Sequence, residues 1–226
     1  MKLLALETST EACSAAVWMD DAVFERYELA PRRHAALILP MIEAVLAEAG
    51  LTLRQLDVLA VGRGPGAFTG VRVAMGIIQG IAFASDLPVA PVSTLAALAF
   101  GVARETGQTR MATALDARMG EVYWGTWMID GEIVELLGSE RVCAPAQVIA
   151  PPGEWFGAGT GWTAYPQVLS QRLTVSGWQG DCYPHAGDVA RLAAAPGGRS
   201  EWLTAEQVLP VYLRNQVVGQ PSAAST

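Results

Sequence analysis

Apolar positions alternate or run unbroken over residues 2–8 and 12–19, and again from Val23 to Leu29 after an Asp20-Asp21 turn. That pattern predicts three short strands joined as two hairpins. The period then changes. His34, Leu37, Ile38, Met41, Val45 and Leu46 recur three and four residues apart, so residues 32–49 read as a helix that Pro40 bends and Gly50 ends. A strand over 57–62, a glycine-rich turn, a helix over 71–85, a short strand from Pro88 to Pro91 and an alanine-rich helix from Ser93 to Arg104 follow, with Ser93 as a cap.

After Gly107 the pattern restarts. Met111 to Leu115 is a strand, Asp116 to Gly120 a turn, Glu121 to Met128 a second strand, and Asp130-Gly131 turns into a third from Ile133 to Leu137. A meander followed by helix-rich sequence therefore occurs twice, which predicts an α/β protein of two related lobes, residues 1–106 and 107–218. The second copy is looser, because Pro151-Pro152-Gly153 and Gly157-Ala158-Gly159-Thr160-Gly161 break it up. Helices near 185–195 and 201–208 and the run Pro210 to Arg214 close the fold, and residues 219–226 read as a disordered tail.

Bulk properties narrow the function. A chain of 226 residues, 51% hydrophobic, is enough for one good core or two small lobes. No stretch reads as 18 uncharged apolar residues, so no membrane span is expected, and the acidic Glu7 in the opening strand argues against a secretory leader. Cys13, Cys143 and Cys182 are far apart and odd in number, with no zinc spacing, and read as reduced thiols of a cytoplasmic protein. The net charge of −7 and the scattered basic residues do not fit a chain that grips nucleic acid alone.

The candidate chemistry lies at strand ends. Gly62-Arg63-Gly64-Pro65-Gly66-Ala67-Phe68-Thr69-Gly70 links a strand to a helix, and the first strand ends in Glu7-Thr8-Ser9-Thr10. Turns of this kind can aim backbone N–H groups at phosphate oxygens. The loop is neither a Walker sequence nor a G-x-G-x-x-G fingerprint. Ser9 or Ser14 with His34 suggests a hydrolase, but no G-x-S-x-G elbow exists.

Four segments in order, Glu7 to Ser14, Gly64 to Arg72, Asp116 to Tyr123 and Pro210 to Arg214, resemble the TsaB (YeaZ) family over most of the chain. The resemblance implies the two-lobed actin-like fold of Hsp70 and the sugar kinases. It also implies a subunit of the machinery that makes N6-threonylcarbamoyladenosine at position 37 of tRNAs reading ANN codons. There TsaD is the catalytic partner, TsaE an ATPase, and TsaC supplies threonylcarbamoyl-adenylate. In TsaD-like chains a His-x-Glu-Gly-His helix binds the metal, and the corresponding positions here are Thr94 and Leu98. The resemblance thus implies a non-catalytic scaffold without metal or tightly bound cofactor, ATP or ADP being held at the complex if anywhere. It would reach tRNA only through that complex and form a homodimer when alone.

The residues themselves leave alternatives open. Glu7, Thr8 and Ser9 are vestigial nucleotide contacts or only a strand end, and Asp116 is a vestigial phosphate-loop residue or a turn. Gly159 and Gly161 line an adenosine pocket or belong to a plain loop. Leu37, Ile38, Met41 and Val45, with His34 beside them, and Gly76 with Gly80 on the next helix, face a partner or belong to the core. The runner-up functions are a small-molecule kinase of the same fold and, further behind, a peptidase.

Overall fold

Successive side chains of β1 (Lys2–Glu7) leave the strand on opposite faces, and both faces are buried. Leu4 and Leu6 enter one core and Leu3 and Ala5 another. β4 (Val58–Gly62) does the same, sending Leu59 and Val61 one way and Val58 and Ala60 the other. A strand apolar on both faces demands a layer on each side, and the computed structural model, which describes residues 1–197 and 202–214, supplies both.

The first sheet has the order β3-β2-β1-β4-β5, with β2 (Ala12–Met19), β3 (Ala22–Leu29) and β5 (Val89–Val92) joining the two strands above. β1 pairs antiparallel with β2 and parallel with β4, so the sheet is mixed. On its outer face lie α1 (His34–Glu48) and α2 (Phe68–Ser85). On its inner face lie α3 (Thr94–Thr106) and α6 (Ala186–Ala194).

The second sheet repeats the plan. Its order is β11-β10-β6-β7-β8, built from β6 (Arg110–Asp116), β7 (Val122–Asp130), β8 (Ile133–Leu136), β10 (Glu154–Ala158) and β11 (Thr174–Gln179), with β9 (Arg141–Cys143) paired to β7. Met111, Leu115, Trp127 and Ile129 face α3 and α6, while Ala112, Ala114 and Trp124 face α4 (Thr160–Ala164) and α5 (Pro166–Arg172) through Trp162 and Leu169. The molecule is thus five layers, α1α2, sheet, α3α6, sheet, α4α5. The expected α/β class, with a mixed sheet and helices in each of two lobes, is the one observed. Although α6 follows the second sheet in sequence, it packs on β1 and β2 of the first.

Several expectations need correction. The proline- and glycine-interrupted stretch 151–161 holds β10, a central strand, because Trp155 and Ala158 are buried on it despite its glycine. β9 and β11 are likewise strands absent from the sequence reading. Residues 202–208 form no helix; Leu203 bridges to Val89, and a turn brings Val208 into the outer core. α2 starts at Phe68 rather than at residue 71, and its 18 residues, Arg72 among them, are long and apolar enough to cross a membrane by length and composition only. Its apolarity has another use here, since one side packs on β1 and β4 and the other is bare. The expected tail, 219–226, lies outside the described residues.

Candidate functional site

The four segments that carry the resemblance meet at one cleft between the lobes. It encloses about 420 Å³ and is lined by Ser9 to Glu11, Gly66 to Phe68, Asp116 to Met119 with Tyr123, and Val211 to Arg214. Chain positions two hundred residues apart converge because the first three segments follow the ends of β1, β4 and β6. Residues 210–214, which follow no strand, are tied to them by the Val211 N–H on Arg63 O and by Arg214 on Glu121.

The glycine loop does not cradle a ligand. A Cβ on Gly66 would strike the Ser9 carbonyl and one on Gly70 the Thr8 carbonyl, so these glycines admit the protein's own backbone. The Ala67 N–H donates to Ser9 O at 2.7 Å, and the Gly64–Pro65 bond is cis. Thr8 seals the joint, its hydroxyl donating to Gly70 O (2.7 Å) and accepting from the Ala74 N–H (3.2 Å). Of the loop's N–H groups, that of Ala67 is spent on the first hairpin, that of Arg63 on β5 and that of Gly64 on the Thr94 hydroxyl.

Glu7 points away from the cleft and is fully buried. Its carboxylate accepts from the Ser9 N–H and from the Thr94 hydroxyl (3.0 Å), and the Thr94 oxygen also lies 2.9 Å from Ser9 Oγ. Burial pushes the Glu7 carboxyl above its ordinary range, only partly offset by those hydrogen bonds. Glu7 and Thr8 are therefore structural, and only Ser9 of the three lines the cleft. Gly159 and Gly161 are also corrected. A Cβ on either would press on Ala114, so they let α4 approach β6 and neither lines the cleft.

Asp116 is where the sequence placed it, at the cleft, but it holds the hairpin tip. It accepts from the Arg118 N–H (2.9 Å) and pairs with the Arg118 guanidinium (3.1 Å). Arg118 and Met119 have φ of +61° and +56°, left-handed values uncommon for such residues. Arg118 also reaches across the cleft to Glu11 (2.8 Å), and Arg214 pairs with Glu121 while donating to the Arg118 carbonyl (3.4 Å). Thus Glu11, Asp116 and Glu121 are each paired with an arginine. Tyr212 and Phe68 lie with ring centres 5.4 Å apart, and the Arg72 guanidinium sits 3.2 Å over Phe68. That Phe68–Arg72–Tyr212 cluster was not read from the sequence, although Tyr212 and Arg214 both belong to the fourth segment. Among the described residues no group of three His, Cys, Asp or Glu side chains is placed to hold a metal.

The second candidate region is the outer helix layer. Ile38, Met41 and Val45 do not face a partner; they are core, buried with Ile42 and Leu46 against the sheet. The three- and four-residue spacing was right about a face and wrong about what covers it. Leu37 is half-buried against the same core, and His34 Nε2 lies 3.1 Å from the Ala12 carbonyl, which ties it to its own lobe. Gly76 and Gly80 are on the bare side of α2, where an added Cβ would meet nothing. With them, Arg72, Phe83 and Ala84 are exposed, and α1 presents Ala35, Ala36, Leu39, Pro40 and Ala47 together with Glu43 and Glu48. Phe83 is 77% exposed and Leu39 52%.

A family model described as TsaD: tRNA N6-adenosine threonylcarbamoyltransferase matches residues 26–195. The protein "tRNA threonylcarbamoyladenosine biosynthesis protein TsaB" of Escherichia coli (strain K12) is 42% identical over 224 residues, covering 96% of each chain. Its namesake in Haemophilus influenzae is 42% identical over 96% of this chain and 95% of that one. Among solved structures, YeaZ from Pseudomonas aeruginosa is 48% identical with a TM-score of 0.89, covering 94% of this chain and 99% of that one.

Proposed function

The chain belongs to the TsaB family, and from that membership we propose that it is a non-catalytic subunit that pairs with a TsaD-like transferase and activates it. Its named relatives are biosynthesis proteins of tRNA threonylcarbamoyladenosine, and this chain acts in that biosynthesis, in the cytoplasm.

The observation that carries the non-catalytic reading is the start of α3. The resemblance sets Thr94 and Leu98 where the catalytic paralogue has its two metal-binding histidines. Here both are buried, and the Thr94 hydroxyl is held by Glu7 and Ser9. Two imidazoles one turn apart on a helix face can share a metal, and a threonine and a leucine sealed in the core do not substitute for them. The cleft supports the same reading. A kinase of this fold needs carboxylates free for magnesium, whereas the two that line this cleft, Glu11 and Asp116, both pair with Arg118. Nucleotide, if held, sits at the assembled complex.

The docking surface is the bare α1–α2 face. Its small residues let another helix approach closely, while Leu39 and Phe83 offer side chains to bury. The same face serves a homodimer when the chain is alone and the TsaD-like partner in the complex, with TsaE joining that complex and tRNA reached only through it.

The test is reconstitution. The TsaD-like partner, the ATPase, threonylcarbamoyl-adenylate and tRNA should yield modified tRNA only with this chain present, and this chain alone should yield none. Turnover by the isolated chain would end the scaffold reading, and so would full turnover by the partner without it.

A further inference from the structure

A second pocket, of about 600 Å³, shares no residue with the main cleft. It lies where the end of β5, the start of α3, the β7–β8 hairpin and α6 come together. Trp127, Leu136 and Ala96 give it apolar walls, Arg63, Ser93 and Glu140 give it polar groups, and the exposed Glu132 stands at its rim. A cavity of this size with an apolar body and a few convergent polar atoms is the usual form of a small-molecule site.

The polar groups are fixed and incompletely used. Arg63 is held by its main chain, its N–H donating to Val92 O and its carbonyl accepting from the Val211 N–H, both at 2.8 Å. Its side-chain Nε is buried without a hydrogen-bond partner, an arrangement that costs free energy unless something else satisfies it. Glu140 is held by Ser93, whose hydroxyl donates to its Oε1 while accepting from the Leu95 and Ala96 N–H groups at the head of α3. Burial pushes the Glu140 carboxyl up, and the Ser93 bond and the Arg63 charge oppose that shift. Arg63 is therefore near enough to act on Glu140, yet among the described residues the two form no ion pair. An arginine with an unpartnered Nε and a partly buried carboxylate line a common, mostly apolar space.

We propose that this pocket binds a free amino acid with an apolar side chain, its carboxylate on Arg63, its ammonium on Glu140 and its side chain against Trp127 and Leu136. A ligand carrying both charges can pair directly with each of these two half-buried groups, which among the described residues form no ion pair with one another, whereas a singly charged ligand pairs with only one.

The experiment is calorimetric titration of the full chain with L-leucine, L-methionine and L-phenylalanine. Two analogues of leucine, 4-methylpentanoate without the ammonium and 3-methylbutylamine without the carboxylate, need no mutation. Saturable binding of at least one amino acid is expected, with its head-group-deleted analogues weaker by roughly thirtyfold or more. Arg63→Gln and Glu140→Gln should each weaken binding similarly, and Ala96→Leu should block it by filling the pocket while the charges remain. Circular dichroism and thermal melting of each variant establish that it is folded. No saturable binding by any of the three amino acids would overturn the proposal. Equal binding by both analogues, or by the folded charge variants, would overturn it too.

Discussion

Phe83→Glu separates the two outer-layer readings most sharply. The side chain is 77% exposed at the bare side of α2, so its own lobe gains little from it. A helix-tolerant substitution there should shift folding stability by no more than about 0.5 kcal/mol. Association is another matter. A phenylalanine buries on the order of 200 Å² when fully covered. If a partner covers the three quarters now exposed, about 150 Å² leaves water, worth up to about 4 kcal/mol at ~25 cal/mol/Å². Ordering costs reduce that figure, and a well-placed aromatic at an interface centre typically loses about 2–4 kcal/mol on truncation, or about 30- to 1000-fold in Kd. The matched control is Ile38→Glu, which puts a carboxylate at a site with no exposure on the opposite side of the neighbouring helix. Losing that packing alone costs about 2–5 kcal/mol, with the desolvated charge added to it. Light scattering, pull-down with the TsaD-like partner and thermal melting read all three quantities. Phe83→Glu should melt like the native chain but fail to pair, and Ile38→Glu should unfold. The reasoning fails if Phe83→Glu pairs normally with both itself and the partner, or if it melts as Ile38→Glu does.

Three further outcomes follow from the packing and the titrating groups. Gly70→Ala drives a methyl into the Thr8 carbonyl and should cost about 1–3 kcal/mol, whereas Gly76→Ala, in open space on an exposed helix turn, should gain about 0.5–1 kcal/mol; melting of the isolated chain checks both. Burial holds Glu7 above its ordinary 4.5, so the unfolded chain gives up that proton first and the native fold loses stability as pH rises from 4.5 through the folded value. Glu7→Gln has no such loss, so urea unfolding should show its advantage over the native chain growing with pH, and a difference flat with pH would refute the assignment. At His185, burial lowers the imidazole but the hydrogen bond and charge of Glu25, with Asp188 and Glu105 adding, raise it above 6.5 on balance. Its contribution to holding α6 against β3 is thus full below 6.5 and lost as pH rises through the folded value, and Glu25→Gln should flatten that slope in melts between about pH 6 and 9.

The first lobe was legible because its pattern is redundant. β1, β2 and β4 are apolar on alternate or both faces, Ser93 caps α3 as a serine before an alanine-rich run should, and Gly50 takes φ +65° just past α1. The second lobe was less so, because β10 and β11 are five and six residues long and carry glycines, and what makes them strands is tryptophan packing from distant parts of the chain. No local period encodes that.

The site was misread for a more general reason. A glycine in a strand-end loop reports that some backbone or ligand comes close, and the absent Cβ is the same evidence in either case. At Gly66 and Gly70 the visitor is the Thr8–Ser9 backbone, and at Gly159 and Gly161 it is Ala114. An apolar stripe has the same ambiguity, since Ile38, Met41 and Val45 would look identical facing a partner or a sheet. What distinguishes the outer face of α1 and α2 is a residue pattern that periodicity treats as blank. Ala36, Ala47, Gly76 and Gly80 are too small to be needed on a solvated surface, where lysine or glutamate would serve solubility better. The small and apolar positions on that side, interspersed with Glu43 and Arg72, are those a second helix would need in order to lie against it, which is why the proposed docking is placed there.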